Sequence, residues 1–157
     1  MEAVFAIYDH EVLHGTATFD TEVYDSAARA RWVERHSAPR YPVLVAESDH
    51  GVVTGWASLS PYSDRCAYER ASEASVYVHH DHRGRGIGRA LVARLIDTAR
   101  EVGLSVLLCR ITSESASSLA LHESMGFQHI GTMRRVGEKF GRILDVALLD
   151  LHLDLQD

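Results

Sequence analysis

Three glycines and three arginines fill six of seven consecutive positions, Arg83-Gly84-Arg85-Gly86-Ile87-Gly88-Arg89. A β-rich run from Ser72 to His79 ends just before them, and the most regular helical pattern of the chain begins at about Gly86. That order predicts an anion cradle. The first turn of a helix carries N–H groups without internal partners and the positive end of the helix dipole. Glycines let a phosphate approach those amides with no Cβ in the way. Arg83, Arg85 and Arg89 add charge suited to a pyrophosphate or a 3′-phosphate. A Walker loop is excluded, because Gly88 is followed by Arg89-Ala90 and not by Lys-Ser/Thr. A dinucleotide fingerprint is excluded by the spacing of the glycines.

A carboxylate stands at the start of the preceding run. Glu73 leads into Ala-Ser-Val-Tyr-Val, which carries no charge, so it is a candidate general base. The run His79-His-Asp-His82 has metal-ligand residue types. Adjacent strand residues point to opposite faces, so no metal site is expected there.

The elements that must hold these residues follow from periodicity and punctuation. Residues 2–14 read as a helix, with Val4, Ile7, Tyr8 and Val12 near helical spacing. Asp25 or Ser26 caps a second helix carrying Ala28, Trp32 and Val33, which ends before Pro39. Pro42–Glu47 and Val52–Ser60 read as strands joined at the Asp49-His50-Gly51 turn. After the glycine loop, a helix to about Val102 presents Ile87, Leu91, Leu95, Ile96 and Ala99 on one stripe, and Gly103 ends it. Leu104–Ile111 reads as a strand buried on both faces. A short helix over about Ser115–Met125 is stopped by Gly126, and strands over Phe127–Met133 and Ile143–Leu155 close the chain. The fold class expected is mixed α/β (α+β), one central sheet flanked by helices in a single domain spanning 1–157.

The 157 residues include 46% hydrophobic and 24% charged side chains, enough to build a core. A net charge of -6 with positive charge concentrated locally in the loop disfavours nucleic acid as a partner and favours a small anionic ligand. Cys66 and Cys109 form no zinc or redox pattern and are expected as free thiols. No apolar run approaches a membrane span and the N-terminus has no signal-peptide pattern, so a cytoplasmic protein without membrane contact is expected.

Arg83-x-x-Gly86-x-Gly88, set between a strand and a helix, resembles the pyrophosphate loop of the GNAT acetyltransferases. Tyr41-Pro-Val-Leu-Val-Ala-Glu47, Ser72-Glu-Ala-Ser-Val-Tyr-Val78, Leu121-His-Glu-Ser-Met-Gly-Phe127 and Val136-Gly-Glu-Lys-Phe-Gly-Arg-Ile-Leu-Asp145 resemble the phosphinothricin/methionine sulfoximine branch, and Thr16–Glu22 fits its N-terminal third. The resemblance implies a GNAT fold, acetyl-CoA as co-substrate, and transfer of its acetyl group to the primary amine of a small amino acid or analogue. The family usually has a short strand before the first helix, and either that first edge strand is missing here or the true start lies upstream. Phosphinothricin, methionine sulfoximine and methionine sulfone are the type acceptors. Polyamines, peptide N-termini or protein lysines are the other enzymatic reading, and a CoA-binding regulatory module without catalysis is the non-enzymatic one.

The resemblance also implies roles for residues. Cofactor contacts fall on Val76, Tyr77, Val78, Arg83, Gly84, Arg85, Gly86, Ile87, Gly88, Arg89, Ser115 and Ser124, with a main-chain N–H around Val76–Val78 serving the oxyanion. Ser115 stands where the family often has Asn, and Ile143 where the branch often has an aromatic. Substrate contacts fall on Ser63, Asp64, Arg65, Glu73, Ala74 and Ser75, with Arg65 a candidate reader of a carboxylate. Lys139 and Arg142 are further candidates to line the acceptor site, from a dimer partner if the chain is the expected homodimer. Glu73 is the implied base, acting through a water because an ordinary Glu near ~4.3 is far below an ammonium. His122 is the implied acid that protonates the leaving thiolate.

Overall fold

Helix α1 (Glu2–His14) opens the chain and buries Val4, Phe5, Ile7 and Val12. Asp25 caps α2 (Ser26–Arg35), its side chain accepting from the Ala28 N–H at 2.7 Å. Strands β1 (Val43–Glu47) and β2 (Val53–Pro61) form an antiparallel hairpin whose turn contains Gly51 at φ +74°. β3 (Ala71–Val78) pairs antiparallel with β2. α3 (Ile87–Glu101) follows the glycine loop, and Gly103 at φ +77° turns the chain out of it. β4 (Val106–Thr112), α4 (Ala116–Ser124), β5 (Gln128–Lys139) and β6 (Arg142–His152) complete a sheet of order β1-β2-β3-β4-β6-β5. The protein is described by a computed structural model over residues 1–37 and 39–153, so the last residues of the strand expected to reach Leu155 lie outside the described residues.

Alternation along the strands divides the molecule into two layers. Ala57 and Leu59 of β2, Leu107 and Cys109 of β4, and Ala147 and Leu149 of β6 pack against Leu91, Val92, Leu95, Ile96 and Ala99 of α3. That is the main core, and its central side chains have no exposure. Each fully buried leucine there contributes about 1.5–3 kcal/mol of transfer free energy. The opposite face of β2 and β3, with Trp56 and Tyr77, meets Val4, Ile7, Tyr8 and Trp32 of α1 and α2 in a smaller, aromatic cluster.

Two expectations change. β4 is not buried on both faces: Leu107, Cys109 and Ile111 are covered, whereas Arg110 is exposed. The reason is that its second face borders a cavity and not a helix. β5 runs well past Met133, because an irregularity between Met133 and Gly137, with Arg135 at φ +54°, lets the chain resume its pairing with β6 up to Lys139↔Arg142. Phe140 and Gly141, both at positive φ, close that hairpin as a two-residue turn. Among the described residues no strand precedes α1, and β1 is the sheet edge.

Candidate active site

β3 and β4 are parallel neighbours only over Ala71↔Val106, Ser72↔Leu107 and Glu73↔Leu108. Beyond that point β3 stays with β2 as far as Val78↔Gly55, while β4 stays with β6 as far as Thr112↔Val146. The sheet therefore splits. On the side facing the split, Ala74–Val78 has no strand neighbour, and an extended ligand can pair with such an edge. Two cavities meet at the split, sharing Thr16, Ala17, Val76, Tyr77, Ser115, Ser118 and His122.

The first cavity, about 560 Å³, opens over the glycine loop. Of the residues expected to contact a cofactor, Val76, Tyr77, Val78, Arg83, Gly84, Gly86, Ile87, Gly88, Arg89 and Ser115 line it; Arg85 and Ser124 do not. Gly86 caps α3 in the left-handed region at φ +81°, a conformation that costs about 1–2 kcal/mol for a residue with a Cβ. Gly88 has a different reason to be glycine. A Cβ there would lie 3.1 Å from Leu121 Cδ2, on the wall between α3 and α4.

The arginines are not equivalent. Arg83 is the peg of the loop: its Nε donates to the Val78 carbonyl at 3.2 Å and its guanidinium pairs with Glu11, which is buried in α1. Arg85 donates to the Asp81 carbonyl. Arg89 reaches Ser124 Oγ at 3.1 Å, so Ser124 serves to steer Arg89.

The second cavity, about 620 Å³, lies between the sheet and helices α1 and α2. Cross-strand register puts Trp56 beside Tyr77, Ser58 beside Ser75 and Ser60 beside Glu73, all on its wall. One end is aromatic, built from Phe5, Tyr8, Tyr24, Trp32, Trp56 and Tyr77. Burial pushes the Tyr8 and Tyr77 phenols well above their ordinary range, so they remain neutral hydrogen-bonding groups.

The other end is polar. Arg110 holds Glu73 through one nitrogen, Nη1, at 3.1 and 3.0 Å from the two carboxylate oxygens. Behind Ser60 stands His36, 9% exposed, whose Nδ1 lies 2.8 Å from the Trp32 carbonyl and whose Nε2 lies 3.0 Å from Ser60 Oγ. A carbonyl only accepts, so Nδ1 carries the hydrogen, and in the neutral ring Nε2 accepts the Ser60 hydroxyl proton. Burial lowers the His36 pKa and keeps that form. The lone pairs of Ser60 are thereby left for the cavity.

Ala74 and Ser75 line this second cavity with Glu73, as expected, but Ser63, Asp64 and Arg65 do not. They lie around the turn that enters a short 3-10 helix, Ser63 half-buried and Asp64 and Arg65 exposed, and the Arg65 N–H bonds locally to Ser63 Oγ at 3.3 Å. Lys139 and Arg142 also lie off both walls. Lys139 is 3% exposed and donates to the Glu11 and Thr18 carbonyls, fastening the β5–β6 hairpin to the segment that roofs the cavities. Arg142 pairs with Glu114.

His122, the expected acid, sits where the cavities join. Nδ1 lies 2.8 Å from the Ser118 carbonyl and so carries the hydrogen. Burial lowers its pKa more strongly than that hydrogen bond raises it. Burial thus favours the uncharged ring, in which Nε2 is an acceptor.

The histidine run also departs from expectation. Residues His80–His82 form a 3-10 turn and not a strand, so alternation does not separate their side chains. His79, His80 and Asp81 each offer a ligand atom within 4.8 Å of the other two.

A sheet that splits over a glycine-capped helix, with a carboxylate below the split, defines a protein that presents an extended phosphate-bearing ligand to an acceptor held on the far side. Residues 4–127 match the model of the acetyltransferase (GNAT) family, and the chain belongs to that family. It is 43% identical over 152 residues to the L-amino acid N-acyltransferase MnaT of Escherichia coli strain K12, covering 97% of this chain and 88% of the relative. Identity and coverage are the same for the L-methionine sulfoximine/L-methionine sulfone acetyltransferase of Salmonella typhimurium. The structure of a GNAT superfamily phosphinothricin acetyltransferase from Sinorhizobium meliloti in complex with acetyl-CoA superposes with a TM-score of 0.91 at 34% identity, covering 95% of this chain and 80% of that one.

Proposed function

We propose that this chain transfers the acetyl group of acetyl-CoA to the α-amine of a small amino acid or analogue of the methionine sulfone, methionine sulfoximine or phosphinothricin type. The observation that carries the reading is the meeting of the two cavities at the β3–β4 split with Glu73 on the acceptor wall. The glycine loop and the α3 N-terminus suit the diphosphate, and the free edge of β3 suits the pantetheine arm, with a main-chain N–H around Val76–Val78 facing the developing oxyanion.

The acceptor ammonium docks against Glu73 and the lone pairs of Ser60. A water carries one proton from nitrogen to the Glu73 carboxylate. The free amine forms the new C–N bond and the C–S bond breaks; the acylated nitrogen gives up its second proton to water, and the thiolate takes a proton from solvent through the open cofactor cavity. His122 Nε2 accepts a hydrogen bond at the junction and helps hold that water.

Arg110 gives the preference for a free carboxylate. It uses only Nη1 on Glu73 and is half exposed, so its remaining N–H donors face an incoming carboxylate. The aromatic end accepts the apolar part of the acceptor side chain. The direct test follows free thiol from acetyl-CoA with a panel of amino acids, their methyl esters, polyamines and peptides. Turnover with methionine sulfone and related amino acids, lost on esterification, is expected. Turnover confined to polyamines or peptides contradicts the acceptor class, and acetyl-CoA binding without thiol release over the whole panel contradicts catalysis.

Among the described residues no helix is long and apolar enough to cross a membrane. A cytoplasmic homodimer is part of the same reading. Ile130, Val136, Phe140 and Ile143 on the β5–β6 hairpin, all about half exposed, are the surface that supports it, and sedimentation of the pure protein tests it.

A further inference from the structure

Five of the ten histidines gather at one corner of the molecule, where the C-terminal half of α1 meets the turn between β3 and the glycine loop. His10 and His80 stack at 4.0 Å and 13°, His79 and His80 at 4.3 Å and 22°. His14 lies 4.8 Å from His10 and His82 lies 5.4 Å from His79, ring to ring. Acetyl transfer as derived above uses none of the imidazoles in this chain of contacts.

We propose that this corner is a binding site for a divalent transition-metal ion of the zinc class, held by His79, His80 and Asp81. The turn makes it feasible, because the chain leaves the strand at His79, the cap of the 3-10 segment, and strand alternation no longer separates the three side chains. Their ligand atoms lie within 4.8 Å of one another. Zinc bound at about 2.0–2.1 Å needs ligand atoms about 3.4 Å apart, so the site closes by side-chain rotation of about an ångström at His80 and Asp81, both exposed. Closure replaces two existing contacts, the Asp81 N–H to His79 Nδ1 at 3.3 Å and the His80–Asp81 pair at 3.5 Å, neither of them short.

Two imidazoles and one carboxylate suit zinc, copper or nickel and not magnesium or calcium, which need an oxygen shell. His10 plays a different part. Stacked nearly parallel on His80, it cannot aim a nitrogen at the same ion, but it holds the His80 ring plane from α1. The remaining coordination positions face water. The same turn delivers His82 to the cofactor cavity and Arg83 to Glu11, so a bound ion braces the root of the diphosphate loop.

The test titrates zinc chloride into the full chain carrying Cys66→Ser, which removes the exposed thiol as a competing ligand, in a buffer free of chelators, by calorimetry. One ion per chain is expected, with affinity falling about tenfold or more in His80→Ala and in Asp81→Asn. His129→Ala, an exposed histidine on β5, should bind as before. These are surface positions, and thermal melts of each variant check that it is folded. Cobalt substitution should give visible absorption from an imidazole-ligated ion, and hydrogen exchange across 79–86 should slow when zinc is added. No binding heat, or binding that survives His80→Ala and Asp81→Asn unchanged, overturns the site.

Discussion

The two sides of the split sheet are built from different materials. The cofactor side is mostly main chain: a glycine loop, the first amides of α3 and the unpaired edge of β3, drawn largely from one stretch of sequence. The acceptor side is mostly side chain, with Tyr8 from α1, Trp32 and His36 from the second helix and its end, Ser60 from β2, Glu73 from β3 and Arg110 from β4. A main-chain cradle tolerates change in most neighbouring side chains, because amides recognise phosphate wherever the backbone conformation is kept. A pocket of side chains from distant segments changes with each of them. The difference teaches where this protein's activity is general and where it is selective.

The comparison breaks first at Glu73. Glu73→Gln should lower kcat by about a hundredfold or more while leaving the dissociation constant for acetyl-CoA unchanged, measured by thiol release and by titration. A comparable loss of cofactor affinity would mean that the two sides are not separable. Lys139→Met should follow in size. It removes the donor to the Glu11 and Thr18 carbonyls and leaves them buried, at a cost of about 2–4 kcal/mol in chemical unfolding. Because those carbonyls belong to the segment roofing both cavities, KM should rise for acceptor and cofactor together.

The pH dependence sharpens the account of His122. A neutral imidazole accepting at Nε2 works above its pKa, which burial places below the ordinary 6.5. kcat/KM should therefore hold through neutrality and fall severalfold in the acid range. An imidazolium acid would give the reverse, a fall as pH rises through neutrality. Stability follows the same sign. His36 and His122 both have folded-state values below 6.5, so the unfolded chain binds more protons in that window. Unfolding free energy should decline as pH drops below about 6.5, seen as a lower Tm.

Sequence made the cofactor side legible because its signal is local. Arg83-x-x-Gly86-x-Gly88 states the backbone conformation and the charge in one line, and the strand and helix around it were recognisable by period. The same locality misled in two places. Arg85 reads as a phosphate ligand by composition, yet it turns back to Asp81. The histidine run reads as strand, yet the chain tightens into a 3-10 turn before the loop.

On the acceptor side only Glu73, Ala74 and Ser75 were found, since they lie in the motif-bearing strand. Strict alternation in β2 and β3 carried the hint that Ser58 and Ser60 share their face. Nothing local announced His36, whose partner Ser60 is 24 residues away, or Arg110, whose partner Glu73 is 37 away. Ser63, Asp64 and Arg65 were placed by resemblance on a loop that this chain folds outward.

The most direct measurement is calorimetric titration of acetyl-CoA into the wild-type chain and Gly86→Ala, side by side. Gly86 touches no neighbour that a Cβ would meet, and only its φ of +81° demands glycine. A single site per chain is predicted, weakened about tenfold by the added methyl, in keeping with about 1–2 kcal/mol of backbone strain. Absence of binding by the wild type, or equal affinity in the two proteins, would contradict a diphosphate held by the main-chain amides at the start of α3.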